Sequence, residues 1–79
     1  MERELILIKV NADSKTRPEI LEIVSVFRAN IVDVGKKTIL IEITGNSNKV
    51  KALEDLLRPF GILELVRTGK IACSRGSKS

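Results

Sequence analysis

Two hydrophobic periods alternate along the chain. Glu4-Leu-Ile-Leu-Ile-Lys-Val-Asn11 is short, aliphatic and β-branched, which predicts a strand apolar on both faces rather than a helix. After the polar stretch Ala12 to Lys15, Thr16 stands where an N-cap belongs, Pro18 suits a first helical turn, and Glu19 complements the positive end of a helix. Ile20, Ile23, Val24 and Phe27 then recur at three- and four-residue spacing, with Glu22, Ser25 and Arg28 opposite, predicting an amphipathic helix that ends at Asn30. Ile31 to Val34 and Thr38 to Thr44 have the composition of two strands turned through Gly35-Lys-Lys37. Gly45 and Asn46 break that run, and Ser47 offers an N-cap. Val50, Leu53, Leu56, Leu57 and Phe60 mark a second helix, shortened near Pro59 and closed by Gly61. Ile62 to Thr68 predicts a fourth strand, interrupted by Gly69 and prolonged by Ile71-Ala-Cys73, with a flexible polar tail over 74–79.

The predicted order is β-α-β-β-α-β within one domain over 1–73. An offset of 33 residues superimposes Ile6, Ile8 and Val10 on Ile39, Ile41 and Ile43, and Ile20, Ile23, Val24 and Phe27 on Leu53, Leu56, Leu57 and Phe60. Two strand-rich copies are too few for a solenoid. They fit the ferredoxin-like α+β plait, a four-stranded antiparallel sheet with both helices on one face. Strand alternation then sorts the side chains. With Ile6, Ile8, Val10, Ile39, Ile41 and Ile43 beneath the helices, Leu5, Leu7, Lys9, Thr38, Leu40 and Glu42 line the uncovered face. The same parity turns Val32, Val34, Leu63 and Leu65 inward, and Ile31, Asp33, Ile62, Glu64, Val66 and Thr68 outward. Leucines standing among charges have the character of an interface, apolar side chains giving affinity and charges giving register.

Composition removes most chemistry from consideration. The chain has 79 residues, one cysteine, and no histidine, tyrosine or tryptophan. Nucleophile–base pairs and zinc sites therefore lack their usual residues, and Cys73 has no partner for an intrachain disulfide. The expectation is a non-catalytic domain without a cofactor or metal. Gly35, Gly45, Gly61, Gly69 and Gly76 are scattered over element boundaries and form no phosphate loop. The longest uncharged apolar run, Leu5 to Ile8, falls far short of the roughly 20 residues that cross a bilayer, and a cytoplasmic, reducing location is expected. Net charge is +4, its excess gathered in Lys70, Arg75 and Lys78 beyond Glu64. Recognition of RNA by a plait relies on aromatics of the central strands, whereas Phe27 and Phe60 fall on helices. Amino-acid sensing in the manner of ACT domains uses a glycine-bearing loop after the first strand; Asn11-Ala-Asp-Ser-Lys-Thr-Arg-Pro18 contains none.

Gly61-Ile-Leu-Glu-Leu-Val-Arg-Thr-Gly-Lys-Ile-Ala-Cys-Ser-Arg-Gly76, with Arg3-Glu-Leu and Phe27-Arg-Ala-Asn-Ile-Val-Asp-Val34, closely resembles the C-terminal domain of the acetolactate (acetohydroxyacid) synthase small subunit. Arg67-Thr68-Gly69, Ala72 and Arg75-Gly76 are its most specific part. The resemblance implies a regulatory domain of the first shared enzyme of branched-chain amino-acid synthesis. It implies a large catalytic subunit as partner, carrying thiamine diphosphate, flavin and magnesium; the small size and uncovered face separately lead to the expectation of a homodimer, and the placement of the aromatics and the short apolar runs to that of no nucleic-acid or membrane partner. It also implies that valine is bound mainly by an N-terminal ACT domain which this chain lacks, as an excised second domain would. Arg67, Thr68, Gly69, Arg75 and Gly76 are the expected partner contacts on this resemblance. Leu5, Leu7, Lys9, Asp33, Leu40 and Glu42 are the expected contacts of the uncovered face, with a second copy or another protein.

Overall fold

The computed structural model describes residues 2–72, and side-chain surroundings for 3–68. Cys73, Arg75, Gly76 and the tail expected over 74–79 lie outside the described residues. The elements run β1 (Glu2–Asn11), α1 (Arg17–Val26), β2 (Asn30–Val34), β3 (Thr38–Gly45), α2 (Ser47–Leu57), a 3-10 turn (Arg58–Phe60) and β4 (Ile62–Ala72). The sheet order is β2-β3-β1-β4 and every pairing is antiparallel, as a ferredoxin-like plait requires.

The two halves bury equivalent residues. Ile6, Ile8, Val10, Ile20 and Val24 from the first half, and Ile39, Ile41, Ile43, Leu53 and Leu57 from the second, join Ala12 and Val50 in one core. Because β1 and β3 are the central strands and both helices contribute to that single cluster, the helices share one side of the sheet. Phe27 and Phe60 pack against its rim. Leu56, expected within the apolar stripe, is half exposed and faces a shallow cleft beside α1 instead.

Alternation holds for β1 and β3 and fails where the outer strands bulge. Ile31 pairs with Ile41 and Asp33 with Leu40, so Val32 is an extra residue on β2. Ile31 therefore takes the helix side, and Val32, predicted inward, does not. Val34 lies opposite Ile39 on the helix side but stays exposed at the sheet edge. On β4 the pairs Lys9–Glu64 and Val10–Ile62 leave Leu63 unmatched. Ile62 packs against the core and Leu63 is exposed, the reverse of the parity expectation. A further slip falls between Glu4–Lys70 and Ile6–Arg67, so Gly69 lies within β4 and shifts its register rather than ending it.

Helix ends differ in detail from their sequence signals. Asn46, not Ser47, caps α2: its backbone is extended and its side chain accepts from the Lys49 amide at 2.8 Å. Helix α1 closes at Phe27, before Asn30. The Arg28 amide reaches the Ser25 carbonyl at 3.1 Å and the Ala29 amide reaches that of Val24 at 2.9 Å, with Arg28 at φ 56°. This is a Schellman closure with arginine in the left-handed position that glycine usually takes. Gly61 does supply such freedom after α2, with φ 102°, and a Cβ there would lie 2.6 Å from Asn11 Nδ2.

Candidate interaction surface

Opposed residues in an antiparallel ladder share a face, so the registers lay out the uncovered surface in rows. One row reads Glu64, Lys9, Leu40, Asp33 across β4, β1, β3 and β2; the next reads Val66, Leu7, Glu42, Asn30. Leu5 stands one step further along β1, opposite Thr44. Leu5, Leu7, Lys9, Leu40 and Glu42 are each half-buried, while Asp33, Glu64 and Val66 are exposed. Among the described residues, none of Lys9, Asp33, Glu42 and Glu64 makes an ion pair. The structure thus brings Leu5, Leu7, Lys9, Asp33, Leu40 and Glu42 together on one face. It separates Lys9 from Asp33 by the intervening Leu40, about two strand spacings of 4.8 Å each.

Arg67 lies on the opposite side, since it pairs with Ile6 beneath the helices. Its guanidinium donates to Glu4 Oε1 at 3.2 Å and to Glu54 Oε1 at 3.3 Å, tying β4 to β1 and to α2. Glu54 also receives Arg58 at 3.1 Å through Oε2. Thr68 donates through Oγ1 to the Leu5 carbonyl at 3.0 Å, within the sheet. Both residues are exposed, so each has a structural partner and an accessible surface. Nothing in the chain order brings Glu54 to Arg67; the placement of α2 over the sheet does.

The loop after β1 is the place where an amino-acid-sensing plait presents free backbone amides. Here Asp13 occupies them. Its Oδ1 accepts from the Lys15 and Thr16 amides, both at 2.8 Å, and from Thr16 Oγ1 at 3.1 Å. These bonds, the Thr16 amide first and the Lys15 amide next, hold the Asp13 carboxyl below the ordinary aspartate range. Thr16 makes no side-chain cap to α1; its Oγ1 instead accepts from the Asp13 amide at 3.1 Å, closing the turn that precedes the helix. Arg17 then locks the loop: Nη2 donates toward the carbonyls of Ala12 at 3.0 Å, Gly35 at 3.0 Å and Lys36 at 2.9 Å. The Asp13-Ser-Lys-Thr16 spacing carried the local signal for the turn, but Arg17's long-range role left no mark in the sequence. An open recess of about 430 Å³ beside this loop is lined by Asn11, Ala12, Asp13, Thr16, Lys37 and Phe60.

Among the described residues no three or more acidic or sulfur side chains assemble as a metal site, and no helix is long and apolar enough to cross a membrane. What the fold does present, among the described residues, is a plait with a bare sheet face that combines half-buried leucines with charges that make no ion pair. Residues 3–76 match the family model described as the small subunit of acetolactate synthase. The chain is 53% identical over 78 residues to a probable acetolactate synthase small subunit from Archaeoglobus fulgidus, covering 99% of this chain and 49% of that one. It is 49% identical to the acetolactate synthase small subunit of Bacillus subtilis, covering 99% of this chain and 45% of the relative. The crystal structure of the acetolactate synthase small subunit from Thermotoga maritima superimposes with a TM-score of 0.84 at 41% identity, covering 99% of this chain and 48% of that one. The chain belongs to the acetolactate synthase small-subunit family, and it spans about half the length of these relatives.

Proposed function

We propose that the chain is a non-catalytic regulatory domain that joins the small subunit to the thiamine-dependent catalytic subunit of acetolactate synthase, in the cytoplasm, and relays branched-chain amino-acid feedback to it. The observation that carries this reading is the open face, where Leu5, Leu7 and Leu40 stand half-buried beside Lys9 and Glu42 with no covering element among the described residues. Such a surface gains by burying its leucines against another protein, and its unpaired charges select the partner and its orientation. Thr68 and Gly69 extend the contact along β4, Arg75 and Gly76 join it on the family resemblance alone, and Arg67, on the helix side of β4, meets a partner that reaches around that edge. In this reading valine is bound mainly by an ACT domain outside this chain, and its occupancy changes the domain's affinity for the catalytic subunit. Coupling of that kind works by differential binding to two states and is reciprocal, so the catalytic subunit changes valine affinity equally. Asp13 supports the division of labour, because it already satisfies the loop amides that would hold an effector carboxylate.

The test is co-purification of the chain with the catalytic subunit from the same organism, together with the rate of acetolactate formation. Association with a changed rate supports the proposal; no association and no rate change contradict it. Calorimetric titration with valine separates the rival reading, since saturable binding by this chain alone would make it a sensor.

A further inference from the structure

The two helices that cover the sheet leave a cleft between them, on the side away from the bare sheet face. Its volume is about 260 Å³, and Glu19, Glu22, Ile23, Val26, Phe27 and Leu56 line it. Ile23 and Phe27 form the floor, packed against the core. Val26 and Leu56, at 72% and 49% exposure, are the apolar walls. The internal repeat brings Ile23 and Leu56, equivalent at the offset of 33, into one cleft, and it also shows how the two sides differ. Glu19 has Ala52 as its counterpart. Glu22 has Asp55, which lies 3.9 Å from Lys51 and 3.5 Å from Arg58. Among the described residues Glu19 and Glu22 make no ion pair, and no lysine or arginine lines the cleft.

We infer that this cleft is a docking groove for a basic amphipathic helix of another protein, its apolar side chains entering between Ile23, Val26 and Leu56 and its lysines or arginines lying beside Glu19 and Glu22. Three properties select that occupant. The volume falls below the roughly 300–1,000 Å³ of sites that enclose a small molecule, and the cleft is open, so it accepts side chains carried on a larger body. Its walls are helices whose backbone groups bond within themselves, so an extended peptide finds no edge to pair with, whereas a helix brings its own backbone bonds. Glu19, Ile23 and Val26 span two turns of α1, about 10 Å, a length that a partner helix matches with apolar positions at i, i+3 or i+4, and i+7. Charge sets the sign of the partner. The chain's net charge of +4 repels a basic helix on average, so attraction is confined to the place where two carboxylates one turn apart have no partner among the described residues. The groove and the open face lie on opposite sides of the sheet, so filling one leaves the other free.

Fluorescence anisotropy tests the groove with a labelled synthetic peptide of about 15 residues, long enough to hold a helix, bearing leucines along one face and lysines flanking them. Titration with the full chain should give saturable binding that weakens as salt is added. Leu56→Gln, at a half-exposed position, should keep the melting temperature and weaken binding roughly tenfold. Glu19→Gln combined with Glu22→Gln, both exposed, should weaken it about tenfold at low salt and remove most of its salt dependence. Leu7→Lys, on the open face, should leave peptide binding unchanged. Absence of saturable binding would overturn the assignment. So would equal binding of a peptide of the same composition whose leucines do not share a face, equal binding of one with glutamates in place of lysines, or loss of binding with Leu7→Lys. A change in the chain's own sedimentation mass with Leu56→Gln would make the cleft a contact between copies and would overturn it as well.

Discussion

Arg17 joins three segments that the chain order keeps apart, and replacing it by alanine should cost more than its position on the surface suggests. A single nitrogen, Nη2, has two hydrogens and lies 2.9–3.0 Å from three carbonyl oxygens. Two directed bonds can form at once, with the third oxygen sharing a hydrogen. Bonds from a charged donor contribute about 1.5–3 kcal/mol each where water is excluded, and less here because the Lys36 contact is exposed. At roughly 1 kcal/mol each for two bonds, Arg17→Ala should lose about 2 kcal/mol. For a domain of this size that is a melting temperature lower by about 8–16 °C. Urea unfolding followed by circular dichroism measures the loss, and an unchanged denaturant slope would show that two-state unfolding persists. Arg17→Lys should recover part of it, since an ammonium reaches some of the same oxygens without the planar fork. A loss below about 0.5 kcal/mol for Arg17→Ala would show that the three carbonyls are equally well served by water and refute the reasoning.

Other expectations follow from single contacts. Arg28→Gly relieves a left-handed arginine in the closure of α1 and should stabilise the domain by about 0.5–1 kcal/mol in chemical unfolding; destabilisation would mean that its side chain holds something in place. Arg67→Ala removes a half-exposed guanidinium shared by Glu4 and Glu54 and should cost under about 1 kcal/mol of stability while weakening capture by the catalytic subunit; a large loss of stability would make the residue structural only. The folded-state pKa of Asp13 lies below its unfolded value, so its stabilisation is complete above the unfolded pKa and disappears as pH falls through the folded one. Asp13→Asn, which retains an acceptor for the same amides, should therefore flatten the acid side of the melting temperature–pH profile, and an unaltered acid side would contradict that account.

The parts of the fold legible in the sequence were those governed by an uninterrupted period. Ile6, Ile8 and Val10 and their counterparts Ile39, Ile41 and Ile43 announced two central strands, and the helix stripes announced what covers them. Parity fails at the Val32 and Leu63 bulges: an extra residue offsets the two sides of a strand, so Ile31 and Ile62 before the bulges lie on the helix side, while Asp33, Val34, Glu64 and Leu65 after them keep the faces that alternation predicts. Asn46 and Ser47 are both good caps, and only the extended backbone at Asn46 decides between them. Leu5, Leu7, Lys9, Leu40 and Glu42 sit on the two central strands, where alternation is legible from the sequence alone. The partners of Arg67 come from tertiary placement that no local pattern encodes: Glu4 from the pairing of β1 with β4, and Glu54 from the docking of α2. Arg17 leaves no local mark for the same reason: two of its three acceptors lie in the turn between β2 and β3, 18 and 19 residues away.

The central claim is that the bare sheet face is what the catalytic subunit covers. Calorimetric titration of the catalytic subunit with the wild-type chain and with the double variant Leu7→Lys, Leu40→Lys tests it most directly. The account predicts saturable binding by the wild type and a loss of affinity of roughly 100-fold or more for a variant whose dichroism remains that of a folded plait. Equal binding by the two proteins would contradict it.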